Sequence, residues 1–165
     1  MGAVVKLFRE LEDLLPGFES LNLVEAGEST RALKAVFTNV SAEGARNRYG
    51  FGQLSDGQRA LIGLYSLVCF SEHRGGRLSL FVDEPDNYLS LREVQPWLVM
   101  LSEACGETLE QAVVISHHPA TIDYLGAKAR WFFRDEDGPV RVRSEPERSN
   151  EGLALSELVA RGWER

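Results

Sequence analysis

Leu78-Ser79-Leu80-Phe81-Val82-Asp83-Glu84 is a short apolar run that ends in two adjacent carboxylates. Its length and Leu/Phe/Val content suit a buried strand, and residues 78–82 are predicted as one. Downstream, Ser90 and Glu93 have capping-box spacing, so a helix is expected over 91–105, with Pro96 bending it or delaying its regular part. A second apolar run follows at 112–115 and ends in Ser116-His117-His118-Pro119, and a third spans 131–133. Apolar strands alternating with helices predict parallel pairing in an α/β sheet, with both 78–82 and 112–115 buried.

Upstream of the central run, Leu54-Ser55-Asp56-Gly57-Gln58 opens the almost wholly apolar stretch 60–70, which is too long for an ordinary strand and reads as a buried helix. Ser55 and Gln58 have the same capping-box spacing. Residues 41–52 are polar and glycine-rich and suggest a loop. Runs at 21–24 and 33–37, separated by Gly27-Glu28-Ser29, predict an antiparallel hairpin. A helix is expected over 4–15, stopped by Pro16-Gly17. Gly75-Gly76 breaks the chain near His73, residues 141–152 read as a polar tail, and 153–160 as a closing helix.

The 165 residues, 44% hydrophobic and 26% charged, suit one domain or a large part of one. No apolar stretch approaches the roughly 20 residues of a membrane span and the N-terminus lacks a signal-peptide pattern, so a cytoplasmic location is expected. Cys69 and Cys105 lack zinc-site spacing and point to packing. The formal charge of -7 argues against a generally basic nucleic-acid surface, and Arg46 and Arg48 read as solvated loop residues. Trp97, Trp131, Phe132 and Phe133 suit a core or a lobe interface better than a base-stacking platform.

Three segments carry chemistry. Hydrolysis of a nucleoside triphosphate needs one carboxylate near magnesium and another near the attacking water, and Asp83 and Glu84 could divide those tasks. The helix opening at Ser55 presents unpaired N–H groups to an anion, with the Ser55 hydroxyl beside them and Gly57 allowing close approach. An imidazole after the strand 112–115 could reach a terminal phosphate; His117 follows Ser116 directly, and His118 competes for the role. Open parallel sheets bind ligands at the carboxyl ends of their strands, where Glu84 and His117 are expected.

In this order the segments resemble the second half of an ABC-type ATPase domain. Residues 54–58 look like the LSGGQ signature, with Asp56 in place of the first glycine; 80–84 look like Walker B, 86–90 like the D-loop and 116–117 like the switch-histidine segment. Ser90 stands where transporter D-loops usually have aspartate. The resemblance implies that Asp83 serves Mg2+, Glu84 is the general base and His117 senses the γ-phosphate of ATP. It further implies that Ser55, Asp56, Gly57 and Gln58 meet the nucleotide of the opposing protomer, with Asn87 in the D-loop at the dimer interface.

Leu-Ser-Asp-Gly and Asp-Glu-Pro-Asp-Asn-Tyr-Leu resemble the SMC-like and overcoming-lysogenization-type ATPases of DNA repair and phage defence more than transporters. The fold class implied is α/β: a P-loop NTPase-like, partly parallel sheet flanked by helices, the C-terminal half of an ABC-type ATPase domain, with 1–165 as a single partial domain. No GxxxxGK[ST] phosphate loop occurs, and Gly27-Glu28-Ser29-Thr30 lacks its lysine. The implied partners are therefore an N-terminal Walker A half, on the same or a separate chain, a second copy forming composite ATP sites, and DNA or an effector protein; no membrane is involved. On this reading the helix at 4–15 is the root of a helix returning from an insertion. The competing readings are a transporter nucleotide-binding domain and a non-hydrolysing interaction module.

Overall fold

In the computed structural model, residues 2–39, 44–71, 78–134, 138–144 and 152–161 are described; His73, Gly75 and Gly76 lie outside them. Helix α1 (Ala3–Leu14) turns Leu7 and Leu11 inward, one turn apart on a single face. Gly17 then adopts φ 79°, and a Cβ there would stand 2.5 Å from the Thr38 carbonyl oxygen, so only glycine fits. The Thr38 N–H donates to the Gly17 carbonyl at 2.7 Å and joins the start of the next strand to the end of its partner.

Strands β1 (Phe18–Glu25) and β2 (Arg31–Asn39) form the expected antiparallel hairpin, longer than its apolar cores suggest. The Ala26 N–H donates to the Thr30 carbonyl at 3.0 Å and closes the turn, as expected for Gly27-Glu28-Ser29-Thr30. The region expected to be a loop contains a third strand, β3 (Ala45–Gly50), antiparallel on the other edge of β2. It lacks apolar alternation because both its faces are largely in solvent; the β2 ladder holds it. Arg46 therefore sits on a strand, paired with Glu19 at 2.6 Å. Edge-to-face contacts run from Phe8 to Phe18 to Phe37 to Tyr49, with ring centroids 5.8, 5.7 and 5.8 Å apart, and tie α1 to all three strands.

Helix α2 (Asp56–Ser71) and helix α3 (Leu91–Ala104) build the core between them. Trp97 is completely buried and its indole N–H donates to the Leu64 carbonyl at 3.1 Å, so the largest core side chain leaves no unpaired donor. Burial pushes the Tyr65 phenol well above its ordinary value, and Glu10 adds to the effect. Pro96 does not interrupt α3, because the carbonyl deprived of its donor belongs to Arg92 in the exposed first turn. Cys69 is buried, consistent with packing, whereas Cys105 caps α3.

Strand β4 (Leu78–Asp83) pairs in parallel with β5 (Leu109–Ile115), as expected for a crossover through α3. The expectation of full burial does not hold. Leu80 and Leu109 face the core, but Phe81 is 70% exposed and Ile115 60%, so the described residues cover this two-stranded sheet on one face only. The third apolar run also differs from expectation. Strand β6 (Trp131–Arg134) pairs antiparallel with β7 (Val140–Arg143), which begins just before the expected polar tail. The alternating valines and arginines of β7 suit a two-stranded ribbon: Val142 lies opposite Phe132, which is 73% exposed, while Arg143 covers the Phe133 ring at 4.3 Å. Helix α4 (Pro119–Leu125) follows β5, and α5 (Leu155–Ala160) docks on it through Ser156, whose N–H and hydroxyl each donate to Asp123 at 2.8 Å. Among the described residues no helix is long and apolar enough to cross a membrane.

Candidate functional site at the ends of β4 and β5

The parallel pairing brings the two strand-end motifs together. Asp83 lies opposite Ile115 in the last pair of the ladder. One residue further, the Glu84 N–H donates to the Ile115 carbonyl at 2.7 Å while Glu84 turns to φ 45°. A left-handed conformation at a non-glycine residue costs about 1–2 kcal/mol and persists only where its surroundings impose it. Here the cross-strand hydrogen bond fixes the backbone and two neighbours fix the side chain. The Asn87 amide donates to Glu84 Oε2 at 2.5 Å, and His117 Nδ1 lies 3.1 Å from Glu84 Oε1. Both carboxylate oxygens are thus oriented, although the His117 side chain is 76% exposed.

The two histidines have different surroundings. His117 faces Glu84, whereas His118 is the N-cap of α4: its Nδ1 accepts the Ala120 N–H at 3.2 Å. Ser116 is anchored rather than free. Its hydroxyl donates to Asp86 Oδ2 at 2.6 Å and accepts the His118 N–H at 3.0 Å. Sequence reasoning places Asp86 in the D-loop-like segment but gives it no task of its own; its burial, at 2% exposure, sets it apart.

The opening of α2 is a reciprocal capping box, as its spacing predicts. The Gln58 N–H donates to Ser55 Oγ at 3.2 Å and the Ser55 N–H to Gln58 Oε1 at 2.9 Å. Gln58 is therefore engaged by its own helix. Asp56 pairs with Arg59, which offsets the negative charge of Asp56. Gly57 has a packing reason to be glycine, because a Cβ there would stand 2.9 Å from the Tyr88 carbonyl oxygen. The opening of α2 thus abuts the turn after β4. Among the described residues no three His, Cys, Asp or Glu side chains converge as a metal cage. The exposed Asp83 carboxylate is a hard oxygen donor of the kind that Mg2+ takes.

No protein-family model and no curated protein matches the sequence. Solved structures do. A structure from work on the ATP-driven dimerization and DNA-stimulated activation of SMC ATPases superposes with a TM-score of 0.64 at 17% identity, covering 96% of this chain and 88% of that one. An SmcHead bound to the C-winged helix domain of ScpA superposes with a TM-score of 0.63 at 15% identity, covering 96% of this chain and 44% of that one. The fold is that of an SMC ATPase head. The mixed α/β architecture expected from the sequence is that of this fold, while the parallel pairing is confined to β4 and β5, in a sheet separate from the two antiparallel ones among the described strands. The chain spans most of the first head structure but under half of the second.

Proposed function

We propose that the chain is the C-terminal lobe of an SMC-like ABC ATPase head, which hydrolyses ATP once a Walker A half completes it and two heads share composite sites. The observation that carries this reading is the cluster of Glu84, His117 and Asn87 at the carboxyl edge of β4 and β5. One observation supports the lobe assignment: the outer face of β4 and β5 keeps Phe81 and Ile115 in solvent. A second lobe carrying the phosphate loop would cover that face. ATP-driven dimerization and DNA-stimulated activation, named for SMC ATPases among the neighbours, make DNA the partner we infer, in repair or phage defence.

Each residue has a task on this reading. Glu84, oriented by Asn87, takes the proton of the attacking water. His117 holds the carboxylate through Nδ1 and turns its exposed ring edge toward the place of the γ-phosphate. Asp83 would hold Mg2+, which would supply positive charge to offset that of the phosphates. The Ser55 hydroxyl accepts from the Gln58 N–H, so its own proton remains to donate to a phosphate of the nucleotide on the opposing head. Gln58 shapes this helix end, and Gly57 keeps it against the turn at Tyr88.

The test compares the chain with the completed head. Helix-end donors and one magnesium carboxylate do not replace a phosphate-loop nest and lysine, so the isolated chain should bind Mg-ATP weakly and not turn it over. The head completed by its Walker A half should hydrolyse ATP. Micromolar affinity of the isolated chain in calorimetry, or an inert completed head, contradicts the proposal.

A further inference from the structure

Resting on that reading of the site, we infer that Asp86 is a positioning residue that sets His117 against Glu84 through the Ser116 hydroxyl. Asp86 is 2% exposed, and its Oδ2 accepts two hydroxyl donors, Ser116 at 2.6 Å and Thr121 at 2.5 Å. Asp86 lies in the turn after β4, Ser116 in the turn after β5 and Thr121 in α4, so one carboxylate oxygen binds three segments together. Ser116 passes the restraint on by accepting the His118 N–H at 3.0 Å, and His118 in turn caps α4. His117 therefore lies between two anchored neighbours. Its ring has little packing of its own, being 76% exposed, yet its Nδ1 stays 3.1 Å from Glu84. An exposed imidazole keeps such a contact only if its backbone is held, and the chain from Asp86 through Ser116 to His118 supplies the hold. The other carboxylate oxygen, Oδ1, is buried as well, so the whole group is enclosed between the two turns and α4.

The direct test is nuclear Overhauser contact between the His117 ring and the Glu84 side chain in the 165-residue chain, which requires no nucleotide. Ser116→Ala removes one hydroxyl and leaves Thr121 on Asp86, so the fold should survive and the contact should fall by at least about half. Asp86→Asn keeps one oxygen that can accept both hydroxyls and should retain the contact; Asp86→Ala should lose it. A contact undiminished in folded Ser116→Ala overturns the inference, and if Asp86→Ala does not fold, Ser116→Ala decides alone.

In the completed head, Ser116→Ala should lower kcat roughly tenfold to a hundredfold, with KM changed less than about threefold, as expected for a misplaced catalytic group. Added to His117→Ala it should cause no further loss, because it acts through His117; two multiplying defects would mean a merely structural role and overturn the inference. A lost contact with unchanged turnover upholds the positioning by Asp86 and instead removes His117 from the proposed catalytic site.

Discussion

The hairpin side of the molecule and the β4–β5 edge use similar apolar residues to opposite ends. On the hairpin side, Phe8, Phe18, Phe37 and Tyr49 pack ring against ring, and α1 closes over the strands. At β4 and β5 one face joins the core through Leu80 and Leu109, while Phe81, Val113 and Ile115 face solvent. The strained Glu84 and the exposed His117 sit on this second region, as do Asp83 and Asn87. The contrast teaches that stability and function are separated along the chain: one region is closed by its own sequence, and the other holds reactive groups beside an apolar face that none of the described residues covers.

The largest expected effect is on the closed side. Trp97→Ala should cost about 3–5 kcal/mol in denaturant unfolding, because it empties a buried site and removes the indole hydrogen bond to the Leu64 carbonyl. Phe81→Ser, on the open face, should change stability by no more than about 0.5 kcal/mol. Equal losses would break the distinction between the regions. Glu84→Gln keeps shape but removes the base, so turnover of the completed head should fall by about 10²–10⁴-fold while the melting temperature stays put. Retained turnover would remove Glu84 from the chemistry.

Smaller effects sharpen the comparison within the site. His117→Ala should cut hydrolysis by about a hundredfold, whereas His118→Ala should cost about 1 kcal/mol of stability through the lost α4 cap and change turnover only a few-fold. The reverse ranking would show that His118 is the switch. Glu84→Gly relieves the left-handed strain and should not destabilise the chain as ordinary substitutions do; a gain of up to about 1 kcal/mol, with activity lost, is expected in the same unfolding assay. Smallest is an alkaline effect. The Tyr65 phenol is raised above its ordinary value, so its contribution is fully present below about pH 10 and lost as pH rises beyond it. Tyr65→Phe should flatten that alkaline loss, and an unchanged profile would assign it to another group.

Legibility in the sequence followed the range of the forces involved. The spacing of Leu7 and Leu11, the capping boxes at Ser55 and Ser90 and the apolar runs of β4 and β5 are local signals, and the corresponding elements stand where they point. Strand β3 is not legible because Ala45-Arg46-Asn47-Arg48-Tyr49-Gly50 buries neither face and depends on β2 for its conformation. Strand β7 is a similar case, held by pairing with β6 and by Arg143 over Phe133. The exposure of Phe81 could not be read either, since an apolar run looks the same whether its outer face is covered by this chain or by another. At the site, the strand-end placement of Glu84 and His117 was readable from order alone. Their contact with each other, the left-handed turn at Glu84 and the buried Asp86 arise from two turns meeting across thirty residues of chain.

Nucleotide-dependent association of the completed head tests the central claim most directly. With Glu84→Gln blocking hydrolysis, sedimentation in Mg-ATP should show closed dimers that are absent without nucleotide, and Ser55→Arg should abolish them by placing bulk and charge at the opening of α2. A completed Glu84→Gln head that binds ATP yet remains monomeric at every concentration would contradict the composite-site account.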